Sequence, residues 1–440
     1  MSADLRVVKT EAETALADAF ATVKSRLPGG REVAARREAA FGQFAASGLP
    51  SHRTEEWKYT DLRALMRDAK PLASPPAAGA LQPQAVGDAL PGITAHHVAI
   101  VNGAFAPDWS DVDGGDPGVT VSELFAWLAQ NPGFRLDLAV PEPGDPALAL
   151  NSAFMSGGAV VHVKKGARLA QPLHLAYRFV GDAPAAMYPR TLVLVEPDAQ
   201  VTLIETFDGP AALDYQVNGA LALVVGDGAQ VERIKIGHDS AAALHIATIM
   251  TAIGARASFR DFTFTTGGAV TRDQLFLRCA GAGSTVRIAG AKLLGGRQHA
   301  DSTLVVEHAA PGCESREVFK TVLDGESHGI FQGKIIVKPD AQKTDGKMMT
   351  RALLVSDTAE AVNKPELEIF ADDVQCGHGA TSGRLDANLL FYLKSRGIPA
   401  KEAEALLIQA FVGEALDGIA HEGLREMLSG RVVGWLEARG

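Results

Sequence analysis

The chain has 440 residues, 47% of them hydrophobic and 21% charged, which is too long for one small core and too apolar for wholesale disorder. Its 42 basic and 52 acidic residues leave a net charge of -10, so neither nucleic acid nor a membrane surface is an expected partner. No run approaches the roughly 20 apolar residues of a membrane span, and Met1-Ser2-Ala3-Asp4-Leu5-Arg6 opens no signal-peptide core, so a cytoplasmic location is the simplest expectation.

In chain order, Leu16, Phe20 and Val23, then Val33, Phe41 and Phe44, fall at spacings that predict two amphipathic helices between Glu11 and Ser47, parted by Pro28-Gly29-Gly30. Thr54 is placed to cap a short helix carrying Glu55 and Glu56, and Trp57 and Tyr59 read as an aromatic anchor for this helical arm. Pro71 to Pro91 reads as a linker or long loop. A strand and turn follow over His97 to Gly103, then a helix capped by Ser122 and another over Asp145 to Met155. These elements form an expected amino-terminal, mostly helical domain with its linker, residues 1–155.

After Gly158 the texture changes to short β-rich runs separated by a recurring small-residue turn. The turns at Gly166, Asp198, Gly228, Gly254, Gly281, Gly312 and Asp340 are spaced by 32, 30, 26, 27, 31 and 28 residues. A loose period without intervening helix predicts a β-solenoid, in which stacked coils share a core that no coil could bury alone. The rival is a β-sandwich, whose turns need no such spacing. The expected core spans residues 156–384. Cys313 occupies a turn position that is Ala elsewhere, and Cys279 ends a strand, so both read as structural thiols; the chain's third cysteine is Cys376, and none belongs to a CxxC pair. From 385 to 440 helices return. Asp386 caps one that stops at Gly397, Pro399 opens the next, and a last runs near Glu422 to Glu437. Removal of everything after Leu385 is expected to leave a soluble solenoid.

The stretch Lys364 to Thr381 carries the chemistry. Leu367 and Ile369 alternate with Glu366 and Glu368 as on a strand, and Cys376 and His378, two apart, project to one side if the chain is extended. Gly377 and Gly379 flank the imidazole and leave room for a partner backbone. Three readings stay open from the residues: a buried thiol beside a locally bonded histidine, a nucleophile with its base, or ligands at a subunit interface suited to iron or an iron-sulfur cluster. A sugar-active solenoid is the alternative class, although the chain has only 6% aromatics and its adjacent Asp372 and Asp373 face opposite sides of a strand.

Lys364 to Thr381, with Gly333-Lys334-Ile335, Ala341 to Asp345, Leu390 to Phe411, Arg53 to Leu62 and Val101-Asn102-Gly103, closely resembles the SufB/SufD family of iron-sulfur cluster assembly proteins, most like its SufD branch. The resemblance implies a mainly β fold, a right-handed parallel β-helix between amino- and carboxy-terminal helical domains. It implies a non-catalytic subunit that pairs with a SufB-like scaffold and docks a SufC-like ATPase through its carboxy-terminal helices, here Leu390, Phe391, Tyr392, Leu393, Arg396 and Phe411. A homodimer in isolation is a further expected state. His378 matches the family histidine implicated in cluster assembly, and Cys376 a neighbouring cysteine, so the two are expected to meet a transient cluster or iron shared with the partner; a reduced flavin is left open. Two departures stand out. Leu354-Val355-Ser356-Asp357-Thr358 lacks the sulfur-accepting cysteine of the SufB branch, and Gly346 to Arg351 replaces a Gln- and Asn-rich run.

Overall fold

The computed structural model describes residues 9–75, 84–110, 116–140 and 144–439. The residues Met1–Arg6 and the middle of the expected linker, 76–83, lie outside them. Two parallel sheets form the walls of a β-solenoid of roughly eight coils. The first contains His96–Val101, Leu173–Arg178, Gln200–Asp208, Gln230–Gly237, Ser258–Thr265, Thr285–Leu294, Glu314–Leu323, Asp345–Leu354 and Gln375–Gly383 in that order. The second contains Ala159–Val163, Arg190–Val195, Gln216–Val225, Leu244–Ile253, Val270–Cys279, His299–His308, His328–Val337 and Glu360–Ile369. Antiparallel strands Ala104–Phe105 and Val119–Glu123 finish the amino-terminal edges.

Alternate residues of each strand enter one interior, so in-register positions stack into columns. Val201, Val231, Phe259 and Val286 form one such column in the first sheet. Val195, Val225 and Ile253 form another in the second, and all seven side chains are buried. Each fully buried aliphatic or aromatic side chain contributes about 1.5–3 kcal/mol, and stacking identical strand positions lets every coil supply the surface that its neighbour covers. Some polar residues that enter the interior arrive with partners. Arg233 donates from Nε to Glu205 and from Nη1 to Asp261, both at 2.6 Å, which keeps three buried charges from standing alone.

The outward faces of the sheets are covered by helices. α1 (Glu11–Val23) begins with a capping box between Thr10 and Glu13, and α2 (Arg31–Ser47) follows. Their apolar stripes pack with Trp57 on Tyr188, Leu244 and Ile246 of the second sheet. Trp57 is fully buried; the Arg272 guanidinium lies 3.8 Å from its ring centroid, and its indole N–H donates to Asp145 at 2.9 Å. The anchor expected at Trp57 is therefore present. Thr54, however, makes no side-chain cap. Glu55–Trp57 is a single 3-10 turn, and the short helix after it, α3 (Leu62–Leu65), is capped by Asp61. After α4 (Gln84–Gly87), α5 (Leu124–Gln130) is capped by Glu123 rather than Ser122, because the strand paired with Ala159–Val163 runs on through Glu123 and the first helical residue is Leu124. Asp145 caps α6 (Pro146–Phe154).

At the other end come α7 (Ala387–Ser395), α8 (Ala400–Leu416) and α9 (Glu422–Ala438). Ile408, Val412, Leu416, Leu424, Leu428 and Val432 cover Ile204, Ile234, Phe262, Phe264 and Leu293 on the outer face of the first sheet. This corrects the expectation that a chain ending at Leu385 would remain soluble, since truncation would bare that whole apolar face. α7 differs, as none of its residues is buried. Among the described residues no helix is long and apolar enough to cross a membrane.

Candidate functional site

The strands Glu360–Ile369 and Gln375–Gly383 are the last of their sheets, so each pairs on one side only. Glu360–Ile369 lies beside His328–Val337, with Lys364 opposite Gln332 and Pro365 opposite Gly333. Gln375–Gly383 lies beside Asp345–Leu354, with Cys376 opposite Gly346 and His378 opposite Met348. In a parallel ladder alternate residues turn both backbone groups to the same neighbour. The Gln375 N–H donates to Thr344 O, so the odd-numbered residues of its strand bond inward and Cys376, His378, Ala380 and Ser382 turn their amides to the open side. The Glu360 and Phe370 N–H groups likewise bond inward, which places Pro365 where a missing donor costs no ladder bond.

Cys376 and His378 continue columns whose earlier members, Ser315 with Gly346 and Glu317 with Met348, face the interior. They sit at its open mouth. Cys376 is half-buried against the core and His378 is exposed. Burial pushes the Cys376 thiol up from its ordinary value, and the Asp345 and Glu317 carboxylates act the same way, so it stays protonated at neutral pH. A nucleophile with its base needs the opposite environment. Around the imidazole the two glycines differ: an added Cβ at Gly377 would meet nothing, whereas one at Gly379 would lie 2.7 Å from Met349 Cε. Room for a close neighbour exists at Gly377, and the previous coil fills it at Gly379.

Charged side chains border this mouth. Lys364 pairs with Glu55 at 2.5 Å, tying the edge strand to the segment before Trp57, and Lys334 pairs with Glu368 at 2.9 Å. Lys343 pairs with Asp373, one of the two adjacent aspartates. Ile369 and Phe370, at 42% and 60% exposure, leave an apolar lip beside them. α7 presents a second apolar surface, with Leu389, Phe391 and Tyr392 exposed by 51%, 73% and 54%. Arg396 stacks on Tyr392 and donates to its hydroxyl at 3.0 Å, while Leu390 and Leu393 are half-buried. Phe411 lies elsewhere: it packs toward the solenoid, with Lys320 Nζ 4.6 Å from its ring centroid.

The sequence reading left out His308 and Glu317. Glu317 is fully buried, its two carboxylate oxygens lack hydrogen-bond partners among the described residues, and burial pushes its carboxyl up to about 7. His308, Cys279 and Cys313 are also fully buried and face one another. A hydrogen bond from Cys279 pulls the Cys313 thiol down and raises that of Cys279 in return. A lone glutamate in a β-rich run and three residues scattered over Cys279 to Cys313 carry no local pattern that would have singled them out.

Residues 12–175 match the model of the SufBD protein N-terminal region, and residues 178–411 that of the SufBD core domain of SUF system FeS cluster assembly. This chain belongs to the SufBD family. An iron-sulfur cluster assembly SufBD family protein of Synechocystis is 32% identical over 410 residues, covering 89% of both chains. The iron-sulfur cluster assembly protein SufD of Escherichia coli is 30% identical over 395 residues, covering 89% of this chain and 90% of the relative. SufD of Bacillus subtilis is 26% identical over 285 residues, 64% of each. The chain is thus a SufD-like member of an iron-sulfur cluster assembly family, which sets the sugar-active alternative aside.

Proposed function

We propose that this chain is a non-catalytic subunit of a cluster-assembly complex, pairing through the open carboxy-terminal mouth of its solenoid with a SufB-like scaffold and carrying a SufC-like ATPase on α7. The observation that carries the reading is the open edge of the strand Gln375–Gly383, which offers backbone donors at Cys376 and His378 beside an exposed imidazole. A free edge is a template for another chain, and the apolar lip of Ile369 and Phe370 adds area that such a chain would cover. Iron, or a nascent cluster, is cargo at that junction. His378 supplies an imidazole nitrogen to it. Cys376, protonated and half-buried, packs beneath and becomes a ligand only when a bound cation displaces its proton.

The division between amino-terminal arm, solenoid and carboxy-terminal helices serves this role: the arm braces one edge strand through Glu55 and Lys364, and α7 stands clear of the solenoid for the ATPase. The test is anaerobic co-expression with SufB-like and SufC-like partners, purification through a tag on this chain, and assay of iron and sulfide. His378→Ala is expected to leave the complex intact and to reduce its cluster content several-fold. Unchanged cluster content in an intact complex would remove His378 from the site. A chain that captures neither partner would overturn the reading as a whole.

A further inference from the structure

Three interior columns change character at the same level of the solenoid. In the second sheet the column Val195, Val225 and Ile253 continues as Cys279 and His308 before returning to Val337. At the turn before each strand of the first sheet, Ala199, Ala229 and Ala257 give way to Ser284 and Cys313. Two residues further, Val201, Val231, Phe259 and Val286 are followed by Ser315. All five replacements are completely buried. An apolar core gains nothing from such groups unless they are engaged, so their convergence in one place is the observation to explain.

The thiols of Cys279 and Cys313 and one ring nitrogen of His308 lie within 4.8 Å of one another. Cys279 and His308 are register partners on adjacent strands, stacked at the spacing of the sheet, and Cys313 comes across from the turn that follows. Ser284 Oγ donates to Cys313 Sγ at 3.2 Å, and the same sulfur lies 3.3 Å from the Gly281 carbonyl. His308 Nε2 lies 3.0 Å from Ser315 Oγ, whereas its Nδ1 has no hydrogen-bond partner among the described residues. A ring fixed through one nitrogen with the other left over is how a protein orients an imidazole ligand.

We propose that Cys279, His308 and Cys313 form a buried site for a single thiophilic divalent cation of the zinc type, separate from the Cys376 and His378 mouth. Two thiolates balance the double charge of the cation, so an ion held there adds no net charge to the interior, and a neutral imidazole is a third donor of matching softness. Three protein ligands leave one tetrahedral position for a further donor. The cation would join two neighbouring strands of the second sheet to the turn that enters the first. Its binding free energy is then folding free energy for the middle of the solenoid.

The experiment uses the full chain carrying Cys376→Ser and His378→Ala, so that the mouth cannot contribute ligands. After treatment with reductant and chelator, zinc is added and X-ray absorption is recorded at the zinc edge. The expected result is one zinc per chain with sulfur and imidazole in the ligand shell, and a melting temperature raised by several degrees. Adding Cys279→Ser or Cys313→Ser is expected to abolish both effects. A shell without sulfur, or zinc retained undiminished by folded serine variants, would overturn the proposal. So would a disulfide between the two buried thiols that excludes zinc in reducing buffer. If the serine variants fail to fold, the spectrum of the protein with both thiols intact decides alone.

Discussion

Glu317 holds a carboxyl group in the solenoid interior with no hydrogen-bond partner among the described residues. Its neighbours along the column are Ile288 and Met348, and burial raises it from its ordinary 4.5 to about 7. The folded chain therefore holds this proton more tightly than the unfolded chain. Its contribution to stability is complete below about pH 4.5 and is lost as pH climbs through about 7, a penalty on the order of 3 kcal/mol by pH 8. Glu317→Gln is expected to remove that slope, leaving stability near pH 5 little changed and raising it at pH 8; urea unfolding midpoints at the two pH values check this. The residue-scale lesson of Cys376 and His378 is different. Their side-by-side placement was legible from a spacing of two on an extended chain, but the half-burial that keeps Cys376 protonated depends on the core beneath it, which no local pattern reports.

Among the elements, the carboxy-terminal helices divide by what they cover. α8 and α9 bury Ile408, Val412, Leu424 and Leu428 on the first sheet, so a chain ending at Leu385 is expected to aggregate on expression, as sedimentation of the lysate would register. α7 has no fully buried residue, and Phe391 is its most exposed apolar one. Phe391→Asp should shift stability by no more than about 0.5 kcal/mol in thermal unfolding. Capture of the ATPase by the tagged chain should fall at least tenfold in the same variant; full capture would move the docking surface away from α7. The helix stripes alone could not separate these cases. Leu389 and Phe391 on α7 look as apolar as Ile408 and Val412 on α8, and only the position of the sheet decides which stripe finds a cover.

For the molecule as a whole, the proposed association rests on the two final strands. Pro365 blunts one edge at a position where its missing N–H disturbs no bond, whereas the edge carrying Cys376, His378, Ala380 and Ser382 keeps its donors. Ala380→Pro removes one of those outward donors without breaking the bonds to Asp345–Leu354. It is expected to weaken pairing with the scaffold subunit at least tenfold in size-exclusion or calorimetric titration, while circular dichroism stays that of the parent. Pairing of undiminished strength would place the partner on the other edge.

What the sequence determined by itself was whatever repeats over a short distance. The turn spacing of 26 to 32 residues announced the coils, alternation announced which residues enter the interior, and Asp386 and Pro399 announced where helices begin. Local competition still misled at single positions, as when a paired strand ran on through Ser122 to Glu123, which became the cap. Only the tertiary structure decided which distant residues meet. Cys279, His308 and Cys313 face one another because strand register and turn length bring separate coils to the same level, and neither quantity is written in the neighbourhood of any one of the three.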